Sequence, residues 1–309
     1  MRRLTAILLI FSITSPSIYA SRTDEPYPFD KLNYLYSSQN AVPPKHLHPR
    51  VSLIYWYYSA SEQYNEDGNR YDMDFDGKYT QNWIVPSFSF GAGDVAEFGV
   101  AIPIIREDLS FSEVINKKFA GSGVSDILIW TNVAVTKKPW FGFRFAAKLA
   151  VGNDDYNIEE EMPVGSGQTD IDLGWQFSYA PEKMGFLCDA SIGYRIRLSK
   201  EIDWAIEEPG PYEKYDPGEE GRLGLYLGGM PVEGFGILFG GDGFVTFNDQ
   251  YDGDEIKKSY RASSLIGLKM FYKAPFGLKV SGGFKTDIAG KDAPAGFGLN
   301  FGVSYEPEF

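Results

Sequence analysis

The strongest constraint on this chain is a two-residue rhythm that starts near residue 50 and runs to the end. From Asp170 to Tyr179, Ile171, Leu173, Trp175, Phe177 and Tyr179 fall on one phase, and Asp170, Asp172, Gly174, Gln176 and Ser178 on the other. Phe141, Phe143, Phe145, Ala147, Leu149 and Val151 alternate with Gly142, Arg144, Ala146, Lys148 and Ala150. Phe297, Leu299, Phe301, Val303 and Tyr305 alternate with Gly298, Asn300, Gly302 and Ser304. Ile192, Tyr194 and Ile196 oppose Asp189, Ser191, Arg195 and Arg197, and Phe276, Leu278, Val280 and Phe284 oppose Lys279, Ser281 and Lys285. A helix of 3.6 residues per turn would mix these sets, whereas an extended strand keeps them on opposite faces. One face is large and apolar in segment after segment. The other carries Asp, Arg, Lys, Asn, Gln and Gly, which suits a wall between lipid and a wet lumen better than a soluble sandwich around a dry core.

The breaks between segments take turns between short and long. Gly91–Asp94, Thr136–Pro139, Pro181–Gly185, Pro231–Gly234 and Lys273–Pro275 are short and carry Pro or Gly, the residues that supply turn dihedrals. Ser61–Gly77, Arg106–Gly121, Asn153–Gly167, Ser199–Glu220, Asn248–Lys258 and Asp287–Pro294 are longer, polar and mostly acidic. Short turns at one end and long loops at the other predict an all-β, antiparallel up-and-down outer-membrane barrel of about twelve strands over residues 50–309. Both termini then lie at the periplasmic end. The terminal Phe309, after an alternating segment, resembles the signal read by the barrel assembly machinery, a predicted partner.

No run of about 18 apolar residues is present, so no spanning helix is expected, and a closed barrel is the remaining way to satisfy every backbone group in lipid. Residues 1–20 read as a signal peptide: Arg2 and Arg3, an apolar stretch from Ala6 to Phe11, and Tyr19-Ala20 ahead of Ser21. Residues 21–49, with Pro26, Pro28, Pro43, Pro44 and Pro49, read as a periplasmic arm or small lumen insert. Without residues 1–20, 27 Lys+Arg stand against 42 Asp+Glu. So acidic an exported chain is a poor match for nucleic acid, which needs clustered cations. The single Cys188 excludes an intrachain disulfide, and it falls on the lipid phase.

Catalytic and metal signals are weak. The only histidines are His46 and His48, both ahead of the first strand, so a barrel hydrolase has no base for a Ser nucleophile. His46 and His48 read as plain loop residues rather than metal ligands. Asp72-Met73-Asp74-Phe75-Asp76-Gly77 opens like a calcium loop, but Trp83 stands where the bidentate Glu belongs. No cofactor is expected. The acid runs Asp154-Asp155, Glu159–Glu161, Glu207-Glu208 and Glu219-Glu220 read as solvated loop surface, or as divalent-cation bridges to lipopolysaccharide.

The candidate site is the inner phase of the wall. Arg144, Lys148, Arg195, Arg197, Arg222, Arg261, Lys269, Lys279 and Lys285 fall on it, as do Glu97, Asp126, Asp170, Asp172, Asp189 and Asp242. Two readings stay open: a charged lining that selects a small-molecule solute, and ion pairs that fill a narrow lumen. The first predicts a passive channel. The second predicts a sealed structural or adhesive barrel whose loops contact lipopolysaccharide or partner molecules.

Two similar stretches, Ala120-Gly121-Ser122-Gly123-Val124-Ser125-Asp126-Ile127 and Pro163 to Gly174 (PVGSGQTDIDLG), each place a Gly-Ser-Gly turn ahead of a strand whose early inward residue is Asp. With the strands that flank them, over roughly Phe98 to Leu198, they resemble the transporter-like outer-membrane proteins of the MetA-pathway of phenol degradation family. The resemblance implies a barrel linked to passage of small, often aromatic or hydrophobic compounds, and it carries over no catalytic residue.

Overall fold

The structure, a computed structural model, describes residues 48–73, 77–93, 95–111, 117–137, 139–152, 164–180, 184–202, 213–257 and 259–307. The signal peptide, nearly all of the arm at 21–49, the acid runs at 154–161 and 207–208, and Phe309 lie outside them. Among the described residues every regular element is a strand. Twelve of the strands, some in two pieces, form the wall: β1 (Pro49–Tyr64), β2 (Lys78–Ala92), β3 (Ala96–Ala101 and Ile104–Phe111), β4 (Lys117–Val124 and Ile127–Lys137), β5 (Trp140–Leu149), β6 (Asp170–Tyr179), β7 (Gly185–Arg197), β8 (Glu220–Val232), β9 (Phe235–Thr246), β10 (Ala262–Lys273), β11 (Leu278–Lys291) and β12 (Ala293–Tyr305).

Each strand pairs antiparallel with the next, and β1 pairs with both β2 and β12, Val51 opposite Tyr305 and Tyr64 opposite Ala293. Closure matters physically, because an open edge would leave unpaired backbone groups in hydrocarbon. The apolar phase is the outer face. Leu53, Ile84, Phe98, Ile129, Phe145, Trp175, Ile192, Leu225, Phe239, Phe284 and Phe301 are all exposed. Cys188 lies on the outer phase, half-buried.

The turns follow the expected asymmetry. At the periplasmic end Gly93, Gly234 and Gly277 adopt positive φ (62°, 78° and 85°), a region that L residues with a Cβ rarely enter. At the other end two expected loops are strand instead. Arg106–Gly121 is mostly a hairpin, with Ile104 to Phe111 paired to Val124 to Lys117. Asp287–Pro294 is the junction of β11 and β12, turned at Asp292 with φ 46°. Both are rich in polar residues on both faces, so hydropathy alternation fades where the wall rises out of the membrane, while backbone pairing continues. Above the rim, Lys200–Ile202, Glu213–Asp216, Gln250–Tyr251 and Asp254–Glu255 pair into a small separate sheet.

Candidate lumen site

The inner face carries an aromatic cluster as well as charged patches. On β1–β5 Trp56, Tyr58, Trp83, Val85, Ala101, Ile105, Leu128, Trp130 and Ala146 form one buried cluster, beside buried polar residues that include Arg50, Gln81, Glu97, Glu107 and Asn132. The alternation pointed to a polar inner phase and did not reveal this cluster. In β1 the run Ile54-Tyr55-Trp56-Tyr57-Tyr58 is large on both phases, so hydropathy cannot say which side faces lipid. Two indoles lie flat against the wall because it is bare beneath them. A Cβ on Gly99 would stand 2.1 Å from the Trp130 ring, and one on Gly298 2.4 Å from Trp56.

On β5–β8 the inner face is ionic. Asp172, Arg195 and Glu220 are direct cross-strand neighbours on β6, β7 and β8. Arg195 approaches Glu220 at 3.5 Å and Asp172 at 4.0 Å. Arg222 reaches back across Gly193 to Asp172, and its Nε lies 3.3 Å from Glu220. Two cations and two carboxylates thus share one buried patch, an arrangement in which each charge offsets the desolvation of the others.

A third group lies at the outer end. Asp126 accepts hydrogen bonds from the backbone N–H groups of Val151 (3.2 Å), Gly152 (3.1 Å) and Ser166 (2.9 Å), and from Ser166 Oγ at 2.6 Å. Lys148 donates to Ser166 Oγ at 2.7 Å and pairs with Asp170 at 2.8 Å. The Val164–Gln168 segment is therefore pinned inside the barrel mouth, with Val164, Ser166 and Gln168 buried.

Trp56, Tyr58 and Phe244, together with the polar residues Arg222, Asp242, Lys285, Ser263 and Asp287, line a small opening of about 60 Å³. Lys285 crosses over Gly267 to pair with Asp242. Tyr226 donates to Asp242 at 2.6 Å, and Lys269 Nζ sits 3.3 Å above the Tyr226 ring. Asp287 accepts from Tyr58 Oη and Ser263 Oγ, each at 2.9 Å, and from the Gly296 N–H at 3.0 Å.

Of the sequence-predicted residues, the fold thus gathers Asp172, Arg195 and Arg222 in one patch, Asp126, Lys148 and Asp170 in a second, and Asp242, Lys269 and Lys285 in a third. Arg144, Asp189 and Arg197 are buried on the inner face, Arg197 opposite Asp170 and donating to the Gly218 carbonyl at 3.4 Å. Glu97 lies at the periplasmic end, 3.1 Å from Arg50 and accepting from Asn132 at 2.9 Å. Lys279 lies near that end too, 5.9 Å from the Phe271 ring centroid, and half-buried Arg261 precedes β10 at the outer rim. The sequence reading missed Glu220, Ser166 and Asp287 by assigning them to loops, and Arg50 and Tyr226 because neither belongs to an obvious charged run.

Residues 60–302 match the family described as Putative MetA-pathway of phenol degradation. No curated protein matches the sequence. Among solved structures the barrel is similar to an outer membrane channel from Pseudomonas putida F1, with TM-score 0.70 and 14% identity over 86% of this chain and 98% of that one. It is also similar to the beta domain of the Bordetella autotransporter BrkA (TM-score 0.52, 9% identity, 84% and 99% covered). The translocator domain of the autotransporter NalP from Neisseria meningitidis is similar too (TM-score 0.50, 9% identity, 91% and 95% covered). At these identities the likeness is one of fold.

Proposed function

Since the chain belongs to the MetA-pathway of phenol degradation family, we propose that it is a passive outer-membrane channel for small solutes, hydrophobic or aromatic ones above all. The observation that carries this reading is an opening lined by Trp56, Tyr58 and Phe244 together with balanced charges. Aromatic walls hold an apolar ring, and the polar residues hydrogen-bond a hydroxyl. Arg222, Asp242 and Lys285 border that space, which supports reading them as solute-facing. No group in it has the geometry of a nucleophile with its base, so the proposed role is passage without catalysis. Phe309 is proposed to engage the assembly machinery, on the strength of the alternating aromatic strand that precedes it.

Liposome swelling tests the channel. Proteoliposomes given phenol-sized neutral aromatics, sugars and nucleosides should swell fastest with the aromatics. A second reading, a sealed barrel, draws on the packed cluster around Trp83 and the ionic patch around Arg195, which together occupy much of the interior. Liposomes that stay silent to every solute would favour that reading and remove the channel.

A further inference from the structure

The outer wall of β2, β3 and β4 changes character abruptly at its upper rim. Ile84, Ile104 and Val124 are register neighbours across these strands, all outward-facing and exposed. Two residues further out, the outward row is Asn82, Arg106 and Ser122, followed by Thr80, Asp108 and Ala120, and then by Lys78, Ser110 and Lys118. Arg106 and Lys118 leave 65% and 55% of their side chains exposed, and Lys78 is exposed as well. Among the described residues one carboxylate sits with them: Asp108 lies 3.4 Å from Arg106 Nε and 2.8 Å from Lys118 Nζ. It engages Arg106 through Nε and leaves the end-on pair of guanidinium nitrogens to another oxyanion.

Among the described residues of this patch, three cations and one carboxylate make a local surplus of positive charge on a chain whose formal charge is -13. The patch stands at a definite depth. Tyr55 and Tyr57, outward on β1, mark the level where amphipathic rings sit at a membrane surface, and Tyr55 Oη donates to Asn82 at 2.8 Å. Acyl chains therefore meet Ile84, Ile104 and Val124, and the next groups outward meet lipid headgroups. Lys78 and Lys118 are two strand spacings apart, roughly 10 Å, a span that one large headgroup can bridge.

We propose that Lys78, Arg106 and Lys118 form a docking site for the phosphorylated sugar headgroup of an outer-leaflet glycolipid, lipopolysaccharide. Arg106 takes a phosphate end-on, and the two lysines flank it. The site lies on the outside of the barrel and stands whether or not the lumen conducts.

The test uses the full chain in detergent, with folding checked by heat-modifiable migration, and native mass spectrometry after addition of bisphosphorylated lipid A. The wild type should retain the lipid. The K78Q/R106Q/K118Q variant should lose it by on the order of tenfold or more, since each cation near a charged lipid surface contributes appreciably. R70Q should bind as the wild type does, because Arg70 is engaged by Glu62. Dephosphorylated lipid A should not be retained, and excess inorganic phosphate should not displace the intact lipid. Equal retention by the triple variant, equal retention of the dephosphorylated lipid, or loss of lipid on chelating divalent cations would overturn the proposal. The last result would assign the lipid to cation bridges from the acidic loops instead.

Discussion

Asp126 accepts three backbone N–H groups and one hydroxyl from the segments on either side of the β5–β6 connection, so one carboxylate ties the two ends of that connection together, beside the bonds that Lys148 and Lys200 donate to Ser166. Hydrogen bonds to a charged group contribute about 1.5–3 kcal/mol each. Losing them together exceeds what a surface connection can absorb. D126A should therefore release the segment while the wall stays folded. Limited proteolysis should cut between Val151 and Asp170 far faster in D126A than in the wild type, at unchanged heat-modifiable migration. Cleavage at the wild-type rate would mean that other contacts hold the segment. Trp56 is the complementary aromatic residue at the opening. Aromatic pairs contribute about 0.5–1.5 kcal/mol beyond area burial, so W56A should weaken retention of an aromatic solute by roughly three- to tenfold. The readout is the solute concentration that half-blocks current. Asp126 was legible in the sequence because it begins an alternating run, although the Gly121-Ser122-Gly123 stretch ahead of it, expected as a turn, is paired strand instead. Ser166, its partner, lies in the second Gly-Ser-Gly stretch, and nothing local in the sequence shows that this stretch folds inward.

Strand existence and order were the most legible features, since period-two alternation over about ten residues has no helical counterpart. The outer half of the wall was harder. Ser110, Lys118, Glu220 and Asp287 stand where strands leave the membrane and both faces turn polar, so the pattern that defines a strand in lipid no longer applies. Glu220 looked like the end of an acidic loop, yet it opens β8 and is buried against Arg195. The tryptophan-rich cluster was invisible for the opposite reason, large residues on both phases. Its glycines carry a prediction. A leucine at Gly298 would put its Cβ within 2.4 Å of the Trp56 ring and force the indole off the wall. Overpacking of this kind costs about 1–3 kcal/mol. G298L should lower the temperature at which the folded band converts to the unfolded one, and it should narrow the opening beside Trp56. An unchanged conversion temperature together with unchanged solute passage would show that Trp56 has room to swing aside.

At the scale of the whole molecule, the interior is close to electrically balanced where it is open. Arg222 and Lys285 border the space with Asp242 and Asp287, and Arg195 and Arg222 share Asp172 and Glu220. A lumen lined in this way gives neither anions nor cations a net attraction, and a charged solute entering it has to compete with an existing pair. A neutral aromatic molecule does not. Ion selectivity measured across a planar bilayer with a potassium chloride gradient should therefore be weak, with a reversal potential near zero. Removing one partner should change that in a known direction. In R222Q, Asp172 and Glu220 lose one of their cations and the opening beside Asp242 and Asp287 loses the same charge, so the balance bordering the path shifts toward negative. The reversal potential should shift toward that of a cation-selective pore, and the shift should shrink at high salt as screening grows. A wild type that is already strongly selective, or an R222Q variant that becomes anion-selective, would mean that ions travel along a route these residues do not border.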